Sequence, residues 1–216
     1  MQPGDKSIHN THPYGIRITQ DLTIPKLFFE KARQYGSGRV AMREKEFGIW
    51  QPITWHDYFK NVKYLTLGLI CLGLEEGDKV AMIGDNRPEG LWAEMAALCA
   101  RGVGVWLFQD CLIDEVKYII DHSDTKFLFG EGQEEVDKAI SIINECPKLE
   151  KIIWDDPKGM RGYDQDCLIS FKEVQRLGRE LEDERPGLFE DLIQKGHGDD
   201  VALLFYTSGT TSLPKG

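Results

Sequence analysis

Val201-Ala202-Leu203-Leu204-Phe205-Tyr206-Thr207-Ser208-Gly209-Thr210-Thr211-Ser212-Leu213-Pro214-Lys215-Gly216 closes the sequence and decides how the rest of it is read. The apolar run Val201 to Phe205 reads as a buried strand. It feeds a loop in which five hydroxyl residues, Thr207, Ser208, Thr210, Thr211 and Ser212, stand beside Gly209, Gly216 and Lys215. A strand opening into such a loop can hold polyphosphate. Glycine lets the backbone approach, exposed N–H groups form an anion nest, hydroxyls donate, and lysine adds a positive charge. A surface turn rich in Ser, Thr and Gly is the bland alternative. The ordered Pro214-Lys215-Gly216 close favours phosphate.

Two better-known phosphate loops are excluded by spacing. A Walker A loop needs Gly, four residues, then Gly-Lys-Ser/Thr. Counted from Gly209, Pro214 occupies the second glycine's place, and Lys215 is followed by Gly216. The dinucleotide fingerprint fails because Gly102-Val103-Gly104 follows a helical pattern and Leu107 stands at the third glycine position.

Upstream, the pattern alternates. Strands are expected at Lys79–Ile83, 103–108, 126–129 and Lys151–Trp154, with helices over 91–100, 113–121 and 134–143 between them. Asp85-Asn86-Arg87-Pro88 reads as a turn into a helix. This alternation predicts an α/β fold with a parallel or mixed sheet flanked by helices. Leu65, Leu69, Val80, Met82, Met95, Leu98, Ile119 and Ile120 are expected in its core. Earlier in the chain, residues 23–35 read as a helix stopped by Gly36. A β-hairpin is expected around Glu46-Phe47-Gly48, and Thr54-x-x-Asp57 reads as a capping box opening the next helix. Ser170-x-x-Glu173 caps a charged helix whose Glu180, Glu182, Asp183 and Glu184 read as a solvated face. Residues 1–20 are polar and read as a surface arm, and residues 21–216 as one partial domain.

A charge of −10, from 26 basic and 36 acidic residues, argues against nucleic acid as a partner. No apolar core of a signal peptide follows Met1, and the longest apolar stretch, 64–74, is too short to span a bilayer. The five cysteines, Cys71, Cys99, Cys111, Cys146 and Cys167, form no C-x-x-C pair and read as reduced thiols of a cytoplasmic protein. The five histidines show no metal spacing.

Tyr206 to Gly216 resembles the phosphate-binding signature of the AMP-forming acyl-CoA synthetase (adenylate-forming) superfamily, with Ser212 where that family usually has glycine. The resemblance runs from about Leu22 onwards, through Gly77-Asp78-Lys79-Val80-Ala81 and Asn86-x-Pro88-Glu89. Glu134-Glu135-Val136-Asp137-Lys138, Asp155-Asp156-Pro157-Lys158-Gly159, Leu168-Ile169-Ser170-Phe171 and Asp199-Asp200-Val201-Ala202 are similar to its bacterial long-chain fatty acid–CoA ligases. The resemblance implies the N-terminal part of the large domain, stopping at the phosphate loop, and a two-step reaction. A fatty acid carboxylate attacks the α-phosphate of Mg–ATP, and the CoA thiol then displaces AMP. Thr207, Ser208, Gly209, Thr210, Thr211, Ser212, Lys215 and Gly216 would hold ATP phosphates. Lys215 would act as the catalytic cation, and Thr207 would help hold Mg²⁺. Peripheral membrane contact is compatible with a fatty acid substrate. The resemblance places the adenine, acyl and CoA sites beyond Gly216, so these residues alone are expected to be inactive. Another adenylate-forming ligase (short-chain, aryl or amino-acid activating) and a non-catalytic module keeping the fold are the alternatives.

Overall fold

The computed structural model describes residue 19, residues 21–207 and residue 216. The expected arm over residues 1–20 therefore lies almost wholly outside the described residues.

Local signals set the first elements. Helix α1, Ile24–Tyr35, starts where the Thr23 hydroxyl accepts from the Lys26 N–H, and carries proline in its first turn. Strands β1, Val40–Glu46, and β2, Ile49–Thr54, form an antiparallel hairpin. Both turn residues, Phe47 and Gly48, have positive φ, the geometry that lets a two-residue turn follow the strand twist. Helix α2, Trp55–Cys71, opens on the expected capping box. The Asp57 N–H donates to the Thr54 hydroxyl at 3.1 Å, and the Thr54 N–H to the Asp57 carboxylate at 3.0 Å.

The body is a six-stranded sheet of β3 (Lys79–Ile83), β4 (Val103–Leu107), β5 (Thr125–Gly130), β6 (Lys151–Trp154), β7 (Leu168–Ser170) and β8 (Leu203–Phe205). The order is β7-β6-β5-β3-β4-β8, and every pairing in it is parallel. The antiparallel pairing lies in the separate hairpin, so the sheet is not mixed among the described residues. Between the strands run α3 (Pro88–Cys99), α4 (Ile113–His122), α5 (Gln133–Ile142), α6 (Phe171–Glu184) and α7 (Leu188–Lys195).

Alternation along the strands separates two cores. Val80, Met82, Phe127, Phe129 and Ile153 face α1, α2, α3, α6 and α7. Ala81, Ile83, Val105, Leu107, Leu128 and Ile152 face α4 and α5. The result is three layers, helices–sheet–helices, and all eight expected core residues are buried.

Two expectations need correction, and one strand was not foreseen. Val201–Phe205 is not a buried strand. Only Leu203–Phe205 pairs, against β4 alone, so β8 is an edge strand with Val201 62% and Phe205 61% exposed. β7 carries no strong period-2 signal in its three residues; it forms because Leu168–Ser170 lies in register beside β6. Of the acidic run on α6, Glu182 is only partly solvated. With Glu190 it flanks Lys63, at 2.8 and 3.1 Å.

Candidate functional site

The carboxyl end of a parallel sheet is where successive loops converge and ligands bind. Two features meet that end here.

The first is the exit of β8. Its near end is pinned to the α3–β4 turn by a two-point ion pair. Arg101 donates through Nε and Nη2 to the two oxygens of Asp200, each at 2.9 Å. The His197 N–H also reaches Asp200. The guanidinium holds the Asp200 carboxyl down at about 2, well below the usual carboxylate range. At the far end the chain reaches Tyr206, which is buried against α4. The Tyr206 hydroxyl lies 2.7 Å from Nδ1 of His122, and the two rings meet edge to face at 5.7 Å. Tyr118, one helical turn earlier on α4, stacks on His122 at 5.3 Å. Burial raises the Tyr206 phenol above its ordinary value. Thr207, the next residue, is exposed. Gly216 returns to the same place: a Cβ there would come within 2.6–2.9 Å of three Tyr206 ring carbons.

The described residues thus bring Thr207 and Gly216, the first and last expected phosphate-site residues, to one tyrosine ring. Ser208, Gly209, Thr210, Thr211, Ser212 and Lys215 lie outside the described residues. Sequence reasoning missed Tyr118 and His122, whose only signal is an aromatic and an imidazole four residues apart on a helix.

The second feature is the crevice between β3 and β5, where the chain leaves toward opposite faces of the sheet. This is the switch point that in many open α/β sheets receives the ligand. Here the protein's own side chains occupy it. Arg87 pairs with Glu44 and Glu131, each at 3.2 Å, and Glu131 also accepts from the Asp85 N–H at 2.7 Å. Glu89 lies 3.6 Å from Arg87 with one carboxylate oxygen buried and without a hydrogen-bond partner. Burial pushes the Glu89 carboxyl up to about 7 and also raises Asp155, which lines the same crevice. Desolvation works against the Arg87 charge, but its carboxylate neighbours, Glu131 first, outweigh it and raise its pKa. The crevice is a filled ion network, so the exit of β8 is the better candidate for a ligand site.

Among the described residues, no group of three or more His, Cys, Asp or Glu side chains could hold a metal ion. Thr207 would add one neutral oxygen to a cation that arrives already bound to phosphate.

Comparison with known proteins gives the same assignment at family level. The long-chain-fatty-acid–CoA ligase ACSBG2 of Xenopus laevis is 28% identical over 197 residues, 90% of this chain and 26% of that protein. Its Homo sapiens counterpart is 28% identical over 195 residues, 90% of this chain and 28% of that protein. ACSBG1 of Rattus norvegicus is 25% identical over 195 residues. The chain therefore spans little more than a quarter of the length of these relatives. The crystal structure of the anthranilate CoA ligase AuaEII with anthranoyl-AMP shares the fold, with a TM-score of 0.70 at 17% identity, over 91% of this chain and 34% of that one. The family model described as AMP-binding enzyme matches residues 28–216, so the chain belongs to the AMP-binding, adenylate-forming enzyme family.

Proposed function

We propose that this chain is the phosphate-binding segment of an AMP-forming long-chain fatty acid–CoA ligase. The observation that carries the reading is the placement of Thr207 and Gly216, the two ends of the hydroxyl- and lysine-bearing loop, at the carboxyl end of a parallel strand. The substrate class is supported by the names of the relatives, which are vertebrate long-chain-fatty-acid–CoA ligases.

In this reading the loop binds the β- and γ-phosphates of Mg–ATP. Its backbone N–H groups and the hydroxyls of Thr207, Ser208, Thr210, Thr211 and Ser212 donate to phosphate oxygens. Lys215 offsets the charge that grows on pyrophosphate as the fatty acid carboxylate attacks the α-phosphate. Such a transfer needs in-line positioning and charge neutralisation more than covalent help from the protein. CoA then takes the acyl group from the adenylate. Five free thiols among the cysteines suit a reducing compartment, and we place the reaction in the cytoplasm. No helix among the described residues is long and apolar enough to cross a membrane.

The test is ATP–pyrophosphate exchange by the full-length protein with a long-chain fatty acid. Lys215→Ala should slow exchange about tenfold to a hundredfold, the loss of one charge-assisted phosphate contact. Unchanged exchange in that variant would remove Lys215 from the mechanism. Exchange supported only by aryl, short-chain or amino acids would move the protein to another adenylating branch.

A further inference from the structure

We infer that His122 is a positioning residue for the phosphate loop: through Tyr206 it fixes the point at which the loop both leaves and returns. This inference rests on the proposed role of the loop in binding ATP. It does not depend on which acid is activated.

The sheet alone gives the loop a poor anchor. β8 is three residues long and pairs with β4 on one side only among the described residues. A short edge strand leaves its last residue little held by ladder hydrogen bonds. Phe205, the final paired residue, points its side chain into solvent. Tyr206 is the first side chain after the strand that is held, and three contacts hold it. Its hydroxyl meets His122 Nδ1 at 2.7 Å; in the neutral imidazole with hydrogen on Nε2, Nδ1 accepts. Its ring lies nearly perpendicular to the imidazole, which is itself backed by Tyr118 at an interplanar angle of 26°. The backbone of Gly216 then lies on the ring so closely that a side chain has no room.

The geometry follows from these contacts. α4 is a rigid element, buried through Val116, Ile119 and Ile120. Tyr118 and His122 project from it to one seat. Tyr206 fills that seat; the next residue, Thr207, is exposed, and the Gly216 backbone lies against the Tyr206 ring. A loop that binds anions with its backbone needs both ends fixed, because a small displacement at the mouth misdirects several N–H groups at once. The Tyr206 hydroxyl finds a hydrogen-bond partner in His122, itself an exposed residue at the end of α4.

The experiment measures ATP affinity by calorimetry on the full-length protein, beside pyrophosphate exchange with a long-chain fatty acid. His122→Leu and Tyr206→Phe are each expected to weaken ATP binding about fivefold, and the double variant no more than either alone, since both remove the same bond. His122→Asn keeps an acceptor near the position of Nδ1 and should restore affinity to within about twofold. Gly216→Ala should weaken ATP binding by at least as much as His122→Leu. The KM for the fatty acid should not change in any of the five. A fall in thermal stability for His122→Leu with unchanged ATP affinity would show a merely structural contact and overturn the inference. So would additive losses in the double variant, or a wild-type protein that does not bind ATP. If wild type binds ATP and the five variants behave as expected, but no fatty acid supports exchange, the clasp stands and the proposed substrate falls.

Discussion

Glu89 follows Pro88 at the start of α3, where a carboxylate is favoured by the helix dipole, yet its side chain turns into the crevice. One of its oxygens is buried without a donor, and its other charged neighbours include Asp155 and Glu44, which repel it. Arg87 compensates only in part at 3.6 Å. The folded carboxyl therefore titrates at about 7, against an ordinary value of 4.5. Between those values the native state holds more protons than the unfolded one. The associated stability is complete below the unfolded value and is lost as pH rises through 7. Glu89→Gln should remove this dependence. Because the group is partly solvated, the gain at pH 8.5 should be on the order of 1 kcal/mol, with no difference near pH 4.5. Urea unfolding of both proteins at several pH values measures it; parallel curves would show that Glu89 is ionised without cost. None of this was legible beforehand. Asp85-Asn86-Arg87-Pro88 reads as a turn entering a helix, which it is, but Glu44 arrives from β1, Glu131 from the β5–α5 connection and Asp155 from the connection after β6. Only the fold brings them together.

Helices α2 and α6 touch through their backbones. A Cβ added at Gly68 would sit 2.0 Å from the Val174 carbonyl oxygen, and one at Gly178 would sit 1.8 Å from the Tyr64 carbonyl oxygen. Each glycine costs its helix propensity, and the close approach buries Val62, Leu65, Leu69 and Val174 in return. Gly178→Ala has no way to relieve the clash except by parting the helices, since the obstacle is backbone. It should destabilise the chain by about 3 kcal/mol, at the upper end of overpacking effects. A denaturation midpoint within error of wild type would refute the contact. Helix starts such as Thr54 with Asp57, and strands such as Lys79–Ile83, are announced within a few residues, so they were legible. Nothing in the sequence distinguishes Gly68 and Gly178 from any other glycine inside a helix. Their meaning lies in a contact between residues more than a hundred positions apart. The order β7-β6-β5-β3-β4-β8 was hidden for the same reason, as was the edge position of β8. A run of five apolar residues looks alike whether one side of it or both will be covered.

The molecule as a whole is unevenly covered. Both faces of the central strands are packed, but apolar side chains stand open around β8 and the neighbouring β4–α4 connection. Phe108 is 76% and Leu112 70% exposed, and Val201 and Phe205 are each more than 60% exposed. Next to them runs the edge of β8, with its ladder groups unpaired on the outer side among the described residues. An exposed edge beside exposed aromatic and branched side chains is a template for association. The net charge of −10 opposes that tendency through general repulsion, but salt screens repulsion while leaving apolar attraction intact. A preparation of these 216 residues alone is therefore expected to self-associate, more strongly at 0.5 M than at 0.05 M sodium chloride. The same preparation should show no ATP–pyrophosphate exchange above its own Lys215→Ala control, since it spans little more than a quarter of its relatives' length. Sedimentation velocity across a concentration series separates the causes. Replacing Phe108 and Leu112 with glutamate should return the chain toward monomer, because it charges the patch without touching Tyr206, His122 or the sheet interior. A wild-type chain that stays monomeric at about 0.1 mM in high salt would show that this face needs no cover. Self-association undiminished in the double variant would place the contact elsewhere, with the β1–β2 hairpin and its 95%-exposed Phe47 as the next surface to change.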